Sequence, residues 1–414
     1  MKLFVITDDF TGALDTGVQF ASRGAKTAVA VGAVPDPAAL KSGPEVFVLD
    51  AETRHMSGAE AYETVFRAVR SAVDAGCTHI YKKTDSALRG NVGRELRAAA
   101  DASGGRPLLF IPAFPKMNRI TSGGIHYIDG IPVAESAFGR DPFEPVTVSS
   151  VPALFSDGPS GVCLHPADET VPLPLPGGIH IFDASTEEDL VRIGTAFGVD
   201  GLRLSAGCAG FAAVLADLLF PAGTAPAVQK PESGLFIVCG SVHPATLAQI
   251  RTAREAGIPC HTLSPFQKLE PEWPDSAECR ALIPEWIRRT REDGCFILSA
   301  NGEQDRAATE AYAAARFPGL SLRTRIADQL GVLTRTVLEA GLSATLLCTG
   351  GDTLLAVMHA LEIRTLRPLC EAAAGVVLTE CEYNGRTLHI LSKSGGFGAP
   401  DLFCRLSKEL NQHG

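Results

Sequence analysis

Short apolar runs alternate with longer amphipathic stretches along most of the chain. Residues 3–7, 46–50 and 107–111 are apolar runs with the length of buried strands. Residues 59–75 instead carry apolar side chains at helical spacing. This β, α, β alternation predicts an α/β fold in which a mostly parallel sheet is flanked by helices.

The alternation is interrupted over residues 221–234, where Pro, Ala and Gly are frequent, and it restarts with an apolar run at 235–239. The 414 residues also exceed what a single hydrophobic core usually supports. We therefore predict two α/β domains, residues 1–225 and 235–414, each with its own mostly parallel sheet flanked by helices.

Composition and charge narrow the class of protein. Hydrophobic residues make up 45% and charged residues 20% of the sequence, as in an ordinary globular protein. The net charge of -10 argues against a nucleic-acid-binding protein, since such proteins present a broad basic surface to phosphates. We expect no membrane segment and no signal peptide, because the apolar runs are too short. The 11 scattered cysteines favour reduced thiols in the cytoplasm.

The stretch 81–90 places three cations, a carboxylate and two hydroxyl groups between an apolar strand and a helical segment. A polar loop that follows a strand of an α/β sheet is a frequent ligand site. Lys83 and Arg89 can hold a carboxylate or a phosphate through charge-assisted hydrogen bonds. The alternative is a solvated basic loop, because charge runs are common on protein surfaces.

Two adjacent carboxylates, Asp8 and Asp9, follow the first predicted strand, and Gly12 lies in the helical run after them. Gly12 allows a ligand to approach the backbone, and the N–H groups of a helix start favour an anion. Because two carboxylates would repel a bare anion, we expect them to bind hydroxyl groups or a metal-bound phosphate. Helix capping is the alternative for one of them. Arg54 follows another strand and is expected at the same sheet edge as Asp8 and Lys83.

Residues 121–145 are rich in Gly, Pro and aromatic side chains, with a hairpin predicted around residues 128–131. A segment of this length is often a lid or a binding loop, although an interface between subunits has the same composition. The sequence therefore leaves open whether the protein forms a homo-oligomer. His126 and Asp141 receive no role, since a lone histidine beside apolar residues is more often structural.

Three glycine-bearing turns follow predicted strands in the second half of the chain. They contain Gly240-Ser241, Gly350-Gly351-Asp352-Thr353 and Gly395-Gly396. Backbone N–H groups in such turns form phosphate cradles, so together the turns favour a nucleotide. Neither G-x-x-x-x-G-K-[ST] nor G-x-G-x-x-G occurs in this half, which disfavours a P-loop and a standard dinucleotide site.

Motifs that carry a family resemblance run in order through nearly the whole chain. They are Thr7-Asp8-Asp9-Phe10-Thr11-Gly12-Ala13, Lys83-Thr84-Asp85-Ser86-Ala87-Leu88-Arg89-Gly90, Gly240-Ser241, Gly350-Gly351-Asp352-Thr353 and Lys393-Ser394-Gly395-Gly396-Phe397-Gly398. With these motifs the sequence resembles the four-carbon acid sugar kinases. The resemblance implies an amino-terminal domain that binds D-threonate, D-erythronate or 3-oxo-tetronate and a carboxyl-terminal domain that binds ATP. Phosphate would go to the terminal hydroxyl. Residues 145–231 carry no transferable motif.

The resemblance also implies roles for individual residues. The acid sugar would be held by Asp8 or Asp9, Arg54, Lys83, Thr84, Asp85 and Ser86, with Arg89 added as an anion ligand of the same loop. ATP would be held by Ser241, Gly350, Gly351, Asp352, Thr353, Gly395 and Gly396. Mg²⁺ would accompany ATP, and no metal ligands are assigned.

Phosphoryl transfer needs in-line positioning of the hydroxyl, cations at the γ-phosphate and usually a carboxylate that orients the hydroxyl or accepts its proton. We expect Arg54 and Lys83 to clamp the sugar carboxylate, while Asp9 or Asp85 orients the hydroxyl. Asp352 is a rival base, because Gly-Gly-Asp-Thr at a helix start also resembles the ribokinase-like kinases. The active site is expected in the cleft between the domains, which would close about the linker.

Three other functions stay open. One is a ribokinase-like kinase of another small sugar acid, and another is a sensor that binds an acid metabolite without chemistry. The third is a nicotinamide-dependent oxidoreductase, which the missing dinucleotide fingerprint disfavours.

Overall fold

The computed structural model describes residues 2–32, 37–141, 145–156, 161–171, 173–221, 223, 231–302 and 305–412. The chain divides into two compact units, the amino-terminal unit Met1–Pro226 and the carboxy-terminal unit Ala227–Gly414. The division falls in the predicted linker, of which residues 222 and 224–230 lie outside the described part. Both units are α/β structures with a mostly parallel sheet flanked by helices, which confirms the predicted fold class. Within the described residues, every helix is too short or too polar to cross a bilayer.

The amino-terminal unit alternates strands and helices from its first residues. Its elements are β1 Leu3–Thr7, α1 Phe10–Ala21, β2 Thr27–Val31, α2 Pro37–Lys41, β3 Val46–Asp50, α3 Gly58–Asp74, β4 His79–Lys83, α4 Val92–Ala102, β5 Leu108–Ile111, β6 Arg119–Ser122, β7 Ile125–Ile128, β8 Ile131–Pro132, β9 Val162–His165, β10 Ile179–Phe182, α5 Glu187–Gly201, β11 Leu204–Gly207 and α6 Ala209–Leu219.

Eight of these strands form a parallel sheet in the order β2-β3-β1-β4-β11-β5-β10-β9. Thr7 at the end of β1 pairs with Asp50 at the end of β3. Lys83 at the end of β4 pairs with Gly207 of β11. Because neighbouring parallel strands end together, the loops after β1, β3 and β4 leave the sheet at one edge.

A small antiparallel sheet, β6-β7-β8, occupies part of the segment predicted as a lid or interface. The predicted hairpin around residues 128–131 is confirmed, since Ile128 pairs with Ile131 across a two-residue turn. Asp129 and Gly130 have φ values of 52° and 78°, as the tight hairpin turn requires. Residues 142–144 of the same segment lie outside the described part.

One part of the core of the amino-terminal unit lies between the sheet and the helices α3 and α4, and α1 and α6 bury further apolar side chains. α3 begins with a capping box, in which Ser57 Oγ accepts from the Glu60 N–H at 3.3 Å and the Glu60 carboxylate accepts from the Ser57 N–H at 3.0 Å. Its buried side chains recur at helical spacing and are Ala61, Val65, Ala68, Val69 and Ala72. The amphipathic pattern therefore fixes which face of α3 packs on the sheet.

Lys82 and Glu95 form an ion pair inside this core, with 2.8 Å between Nζ and Oε2 and side chains that are 0% and 1% exposed. Lys82 Nζ also donates to the carbonyl oxygen of Lys83 at 2.7 Å. The pair therefore holds the end of β4 against α4.

We expect Glu95→Leu to lower the free energy of unfolding by about 3–5 kcal/mol, because it leaves the buried Lys82 ammonium without a counter-charge. The double variant Lys82→Met, Glu95→Leu removes both charges and should recover most of that loss. Denaturant unfolding measures both variants. Equal losses in the single and the double variant would contradict this account.

The carboxy-terminal unit repeats the alternation and adds an antiparallel meander. Its elements are β12 Leu235–Cys239, α7 Pro244–Glu255, β13 Cys260–Thr262, α8 Pro265–Leu269, α9 Ala277–Glu292, β14 Cys295–Ser299, α10 Asp305–Arg316, α11 Leu322–Glu339, β15 Thr345–Thr349, α12 Gly351–Ala360, β16 Thr365–Ala373, β17 Val376–Tyr383, β18 Arg386–Lys393 and α13 Leu402–Gln412.

Its strands follow the order β13-β14-β12-β15-β18-β17-β16. The first five are parallel, whereas β16, β17 and β18 pair antiparallel. The strands β16 and β17 were not predicted from the apolar pattern. Several side chains of β16 are exposed, so this strand lacks the continuous apolar run of a buried parallel strand.

Candidate active site

The carboxyl edge of the amino-terminal sheet brings Asp8, Asp9 and Arg54 together. The aspartates follow β1 directly, and Arg54 lies in the 3₁₀ turn Thr53–His55 after β3. Arg54 Nε donates to Asp8 Oδ2 at 2.8 Å. Arg54 Nη2 lies 2.7 Å from Asp8 Oδ2 and 2.8 Å from Asp9 Oδ1. The guanidinium of Arg54 is therefore matched by two carboxylates of the protein itself.

Capping, the structural alternative for the two aspartates, accounts for Asp9 alone. Asp9 Oδ1 accepts from the Gly12 N–H at 3.2 Å and so caps α1. Asp8 is 2% exposed, and its Oδ1 has no hydrogen-bond partner within the described part of the chain. A buried acceptor of this kind is costly unless a ligand or a water hydrogen-bonds to it.

Asp85 and Arg89 close the turn that follows β4. Arg89 Nη2 donates to Asp85 Oδ1 at 2.8 Å, and Arg89 Nε donates to Asp85 Oδ2 at 3.0 Å. Asp85 Oδ2 also accepts from the Ala87 N–H at 3.0 Å. Leu88 has a φ of 63°, so the side-chain contacts of Asp85 support a strained turn.

Lys83 is buried beside the start of α1. A Cβ at position 12 would lie 2.6 Å from Lys83 Nζ and would collide with Asp9 Oδ1, so only glycine leaves room for the ammonium there. Across the described residues, Lys83 Nζ forms neither an ion pair nor a hydrogen bond. The neighbouring Thr84 Oγ1 is also buried and unpartnered. This position combines a cation and a hydroxyl group that are both free for a ligand.

The charges of this edge determine the ionisation of its carboxyl groups. Burial alone would raise the pKa of Asp8, but Arg54 and two nearby lysines outweigh it and lower that pKa. Burial also opposes ionisation of Asp85, yet Arg89 and Arg54 bring its pKa well below the ordinary value. Both carboxyl groups are therefore ionised at neutral pH.

The pKa of Asp50, at the end of β3, shifts in the opposite direction from those of Asp8 and Asp85. Its Oδ1 accepts from the Glu52 N–H at 3.2 Å. Burial, followed by the charge of Glu52, raises the pKa of Asp50 well above its ordinary value. The raised pKa of Asp50 was not predicted from sequence, because nothing in the neighbouring residues indicates that its side chain is buried.

Arg119 and Phe138 also belong to this site and were not assigned by sequence. Arg119 Nη1 donates to Ser86 Oγ, and its guanidinium lies 5.4 Å from the centre of the Phe138 ring. His126 is buried, with Nε2 3.0 Å from the carbonyl oxygen of Ser86. Burial lowers the pKa of His126 to about 4, so it is a neutral structural histidine. Arg119 follows the loop that leaves β5 at the same edge of the sheet. This position in the sequence could have indicated that Arg119 belongs to the site.

In the carboxy-terminal unit, the three glycine turns leave adjacent strands. β12, β15 and β18 are parallel neighbours, and Thr349 at the end of β15 pairs with both Cys239 and Lys393. Gly240 and Gly350 follow the first two of these strands directly. The three turns therefore start at one edge of the sheet.

At Gly240 and Gly395 an added side chain would collide with hydroxyl groups of the neighbouring turns. A Cβ at Gly240 would clash with Thr353 Oγ1, and a Cβ at Gly395 would lie 2.5 Å from Ser241 Oγ. Gly350 has a φ of 90°, a conformation that favours glycine. Gly350 lies beside Ser241 at the start of α12, where the N–H groups of a helix start favour phosphate oxygens.

Lys393 supports the last of these turns from inside the unit. Its Nζ donates to Thr246 Oγ1 at 3.1 Å and to the carbonyl oxygens of Ser394 and Gly395 at 3.1 and 3.2 Å. Burial lowers the pKa of Lys393 to about 8. Gln249 Nε2 donates to three further carbonyl oxygens of the segment. Lys393 is therefore engaged by the protein, unlike Lys83.

Asp352 lies in the first turn of α12 and is paired with Arg323 of α11. Arg323 Nη2 donates to Asp352 Oδ1 at 2.7 Å, and Arg323 Nε contacts Oδ2. Both side chains are about half exposed. Asn301, which was not predicted, donates from Nδ2 to the carbonyl oxygens of Gly240 and Ser241, both at 3.1 Å. Its amide holds the first glycine turn in place.

The residues of the carboxy-terminal turns fit a nucleotide, because they place a helix start and hydroxyl groups at one edge of the sheet. Among the residues described, no group of three or more His, Cys, Asp or Glu side chains could hold a metal ion. Magnesium in kinases commonly keeps its waters and is held by one or two carboxylates and the phosphates. The chain therefore fits a magnesium ion that arrives with the nucleotide, with Asp352 as the carboxylate within the turns.

Two family models match the chain. Residues 3–215 match a sugar-binding N-terminal domain, and residues 236–403 match a nucleotide-binding C-terminal domain. The chain is 29% identical to a D-threonate kinase from Salmonella typhimurium, with 98% of this chain and 97% of the relative covered. It is 28% identical to a D-erythronate kinase from Heliobacterium modesticaldum, with 97% and 95% covered. It is 26% identical to a 3-oxo-tetronate kinase from Pseudomonas fluorescens, with 98% and 96% covered.

A crystal structure of a protein from Salmonella typhimurium LT2 matches the fold, with a TM-score of 0.80 at 22% identity and 99% of each chain covered. At that identity the likeness concerns the fold alone. The sugar-binding family model covers more than half of the sequence by itself. The chain therefore belongs to the four-carbon acid sugar kinase family.

Proposed function

We propose that this protein is an ATP-dependent kinase that phosphorylates the terminal hydroxyl of a four-carbon acid sugar. D-threonate, D-erythronate and 3-oxo-tetronate are the candidate substrates. One observation carries the proposal within this family: the buried Lys83 ammonium forms no ion pair within the described residues, while the nearby Asp8 and the adjacent Thr84 each have a buried oxygen without a hydrogen-bond partner. A buried cation beside buried hydroxyl-binding groups suits a small acid that carries several hydroxyl groups.

The acid would lie at the carboxyl edge of the amino-terminal sheet. Lys83 would face its carboxylate, and Asp8 Oδ1 and Thr84 Oγ1 would bind its hydroxyl groups. Arg54 would act by holding Asp8 and Asp9 in place, since its donors already face these carboxylates. Asp85, Ser86 and Arg89 would shape the turn that closes the same space.

ATP would lie on the turns of the carboxy-terminal unit. The residues proposed for it are Ser241, Gly350, Gly351, Asp352, Thr353, Gly395 and Gly396. When bound, Mg²⁺ neutralises charge on the phosphate oxygens. The positions where a Cβ would collide support this assignment, because they let phosphate oxygens reach backbone N–H groups.

Asp9 is the proton acceptor that we propose among the three candidate aspartates. Its Oδ1 caps α1 and contacts Arg54, while its side chain is 26% exposed and so open to a substrate. Both oxygens of Asp85 accept from Arg89, and both oxygens of Asp352 contact Arg323. A general base must reach the proton that it takes, and Asp9 is the least engaged of the three.

A coupled ADP-release assay over D-threonate, D-erythronate and 3-oxo-tetronate tests the proposed function. We expect acid-dependent ADP release with at least one of these acids. Asp9→Asn should lower kcat by about 10²–10⁴-fold, because a base in the transition state contributes that much. Asp352→Asn should act mainly on the KM for ATP.

Several outcomes would overturn parts of this proposal. If both variants keep full kcat at saturating ATP, neither aspartate is the base. If only Asp352→Asn loses kcat, the base is Asp352. If the native protein binds an acid but releases no ADP, it is a sensor of acid metabolites and not a kinase.

We also propose a cytoplasmic location, which the eleven unpaired cysteines support, since reduced thiols are typical of that compartment. An active-site cleft between the two domains and a homo-oligomeric state stay predictions.

A further inference from the structure

Arg119 reaches the loop after β4 from the start of β6. Its Nη1 donates to Ser86 Oγ, and its guanidinium lies on the ring of Phe138. Arg89 lies on the same ring, 5.3 Å from its centre. The aromatic ring therefore keeps two guanidinium groups at the edge where the acid is proposed to bind.

Most cations at this edge already form ion pairs with carboxylates of the protein. The matched groups are Arg54 with Asp8 and Asp9, Arg89 with Asp85, and Lys82 with Glu95. Within the ranges that the structure describes, Lys83 and Arg119 form no ion pair. The positive charge that remains for a ligand therefore belongs to these two side chains.

Lys83 and Arg119 act on the same region of the amino-terminal unit. Burial raises the pKa of the Cys208 thiol, and the charges of both Lys83 and Arg119 oppose that rise. Ser86, the partner of Arg119, is three residues from Lys83 along the chain. Arg119 therefore contacts the turn that directly follows Lys83.

Arg119 also has an unused donor. Its Nε is buried and has no hydrogen-bond partner in the described part of the chain. A buried donor on a charged group costs free energy until an acceptor reaches it. A carboxylate that contacts the guanidinium would provide the acceptor and neutralise the charge together.

We propose that Arg119, together with Lys83, binds the carboxylate of the substrate and makes the site specific for acids over neutral polyols. The inference rests on the proposed function. It assigns binding of the substrate carboxylate to Arg119 instead of Arg54, because two aspartates already neutralise Arg54. The planar guanidinium supplies two parallel donors, whereas the ammonium of Lys83 supplies a point charge. Phe138 holds the Arg119 guanidinium in orientation.

The test compares Arg119→Met and Arg119→Lys with the native protein. Calorimetry measures the binding of D-threonate, D-erythronate and 3-oxo-tetronate, and of the neutral compounds threitol, erythritol and erythrulose, in which CH₂OH replaces the carboxylate. Arg203→Met is the matched control, because Arg203 is 55% exposed and is paired with Asp200.

We expect Arg119→Met to weaken binding of the preferred acid by about 10²–10³-fold, the loss of two charge-assisted hydrogen bonds. Binding of the matching neutral compound should change by less than about threefold. Arg119→Lys should recover part of the affinity, because it keeps the positive charge but lacks the two parallel donors of the guanidinium. In ADP release the KM for the acid should rise more than kcat falls.

An unchanged preference for the acid over its neutral counterpart in Arg119→Met and Arg119→Lys would overturn the inference. Circular dichroism shows whether Arg119→Met folds, and Arg119→Lys gives the answer if it does not. A native protein that binds an acid through Arg119 but releases no ADP would refute the proposed function and leave this inference standing. A native protein that binds none of the three acids would overturn both.

Discussion

Replacing Lys83 by methionine is expected to lower kcat/KM for the acid by about 10³-fold, because the site loses a buried cation proposed to contact the substrate carboxylate. Lys83 is 5% exposed, and its ammonium lies beside Gly12 and Asp9 without a partner of its own. Methionine keeps the length of the side chain and removes the charge. The variant therefore loses a cation that no neighbouring side chain can replace.

Steady-state ADP release measures this change, and Lys26→Met serves as the control because Lys26 is exposed. A value of kcat/KM within about threefold of the native enzyme would rule out Lys83 as a ligand of the acid.

Gly240→Val and Gly395→Val are expected to raise the KM for ATP by about 10²–10³-fold, as the loss of one or two charge-assisted hydrogen bonds would do. A side chain at Gly240 meets Thr353 Oγ1, and one at Gly395 meets Ser241 Oγ. These hydroxyl groups must move to admit it, which disturbs the turns that are proposed to bind the phosphates. Binding of the acid to the amino-terminal unit should stay near the native value.

Titration with ATP and separately with the acid distinguishes a local effect from a loss of folding. Gly58→Ala is the control, because a Cβ there would lie 3.4 Å from Arg94 Cγ, which is an ordinary contact. If both valine variants keep the native KM for ATP, the glycine turns do not bind the phosphates.

The apolar pattern was sufficient for the fold class and for the approximate positions of the buried parallel strands, although Lys82 and Lys83, which were expected in a loop, end β4. Buried strands such as β1 and β15 are continuous apolar runs, so their limits are visible in the sequence. The strands β16 and β17 were missed for the opposite reason. Part of each faces solvent, and their antiparallel pairing is stabilised by contacts with neighbouring strands.

Part of the candidate site could also be predicted from the sequence. Asp8, Arg54 and Lys83 follow strands β1, β3 and β4, and parallel strands end at a common edge, so their approach was predictable. Arg119 could not be placed in the same way. It reaches the site through Ser86 and Phe138, and both contacts depend on how the segment after β5 folds back.

By itself the sequence determined where the polar motifs stand relative to the strands, because strand limits follow from short-range apolar periodicity. Only the tertiary structure decided which of the charged groups are already matched. Arg54 is neutralised by two aspartates and Asp352 by Arg323, whereas Lys83 remains free within the described residues. Ion pairing depends on distances of a few ångströms between residues that are far apart in the chain, and sequence spacing carries no measure of those distances.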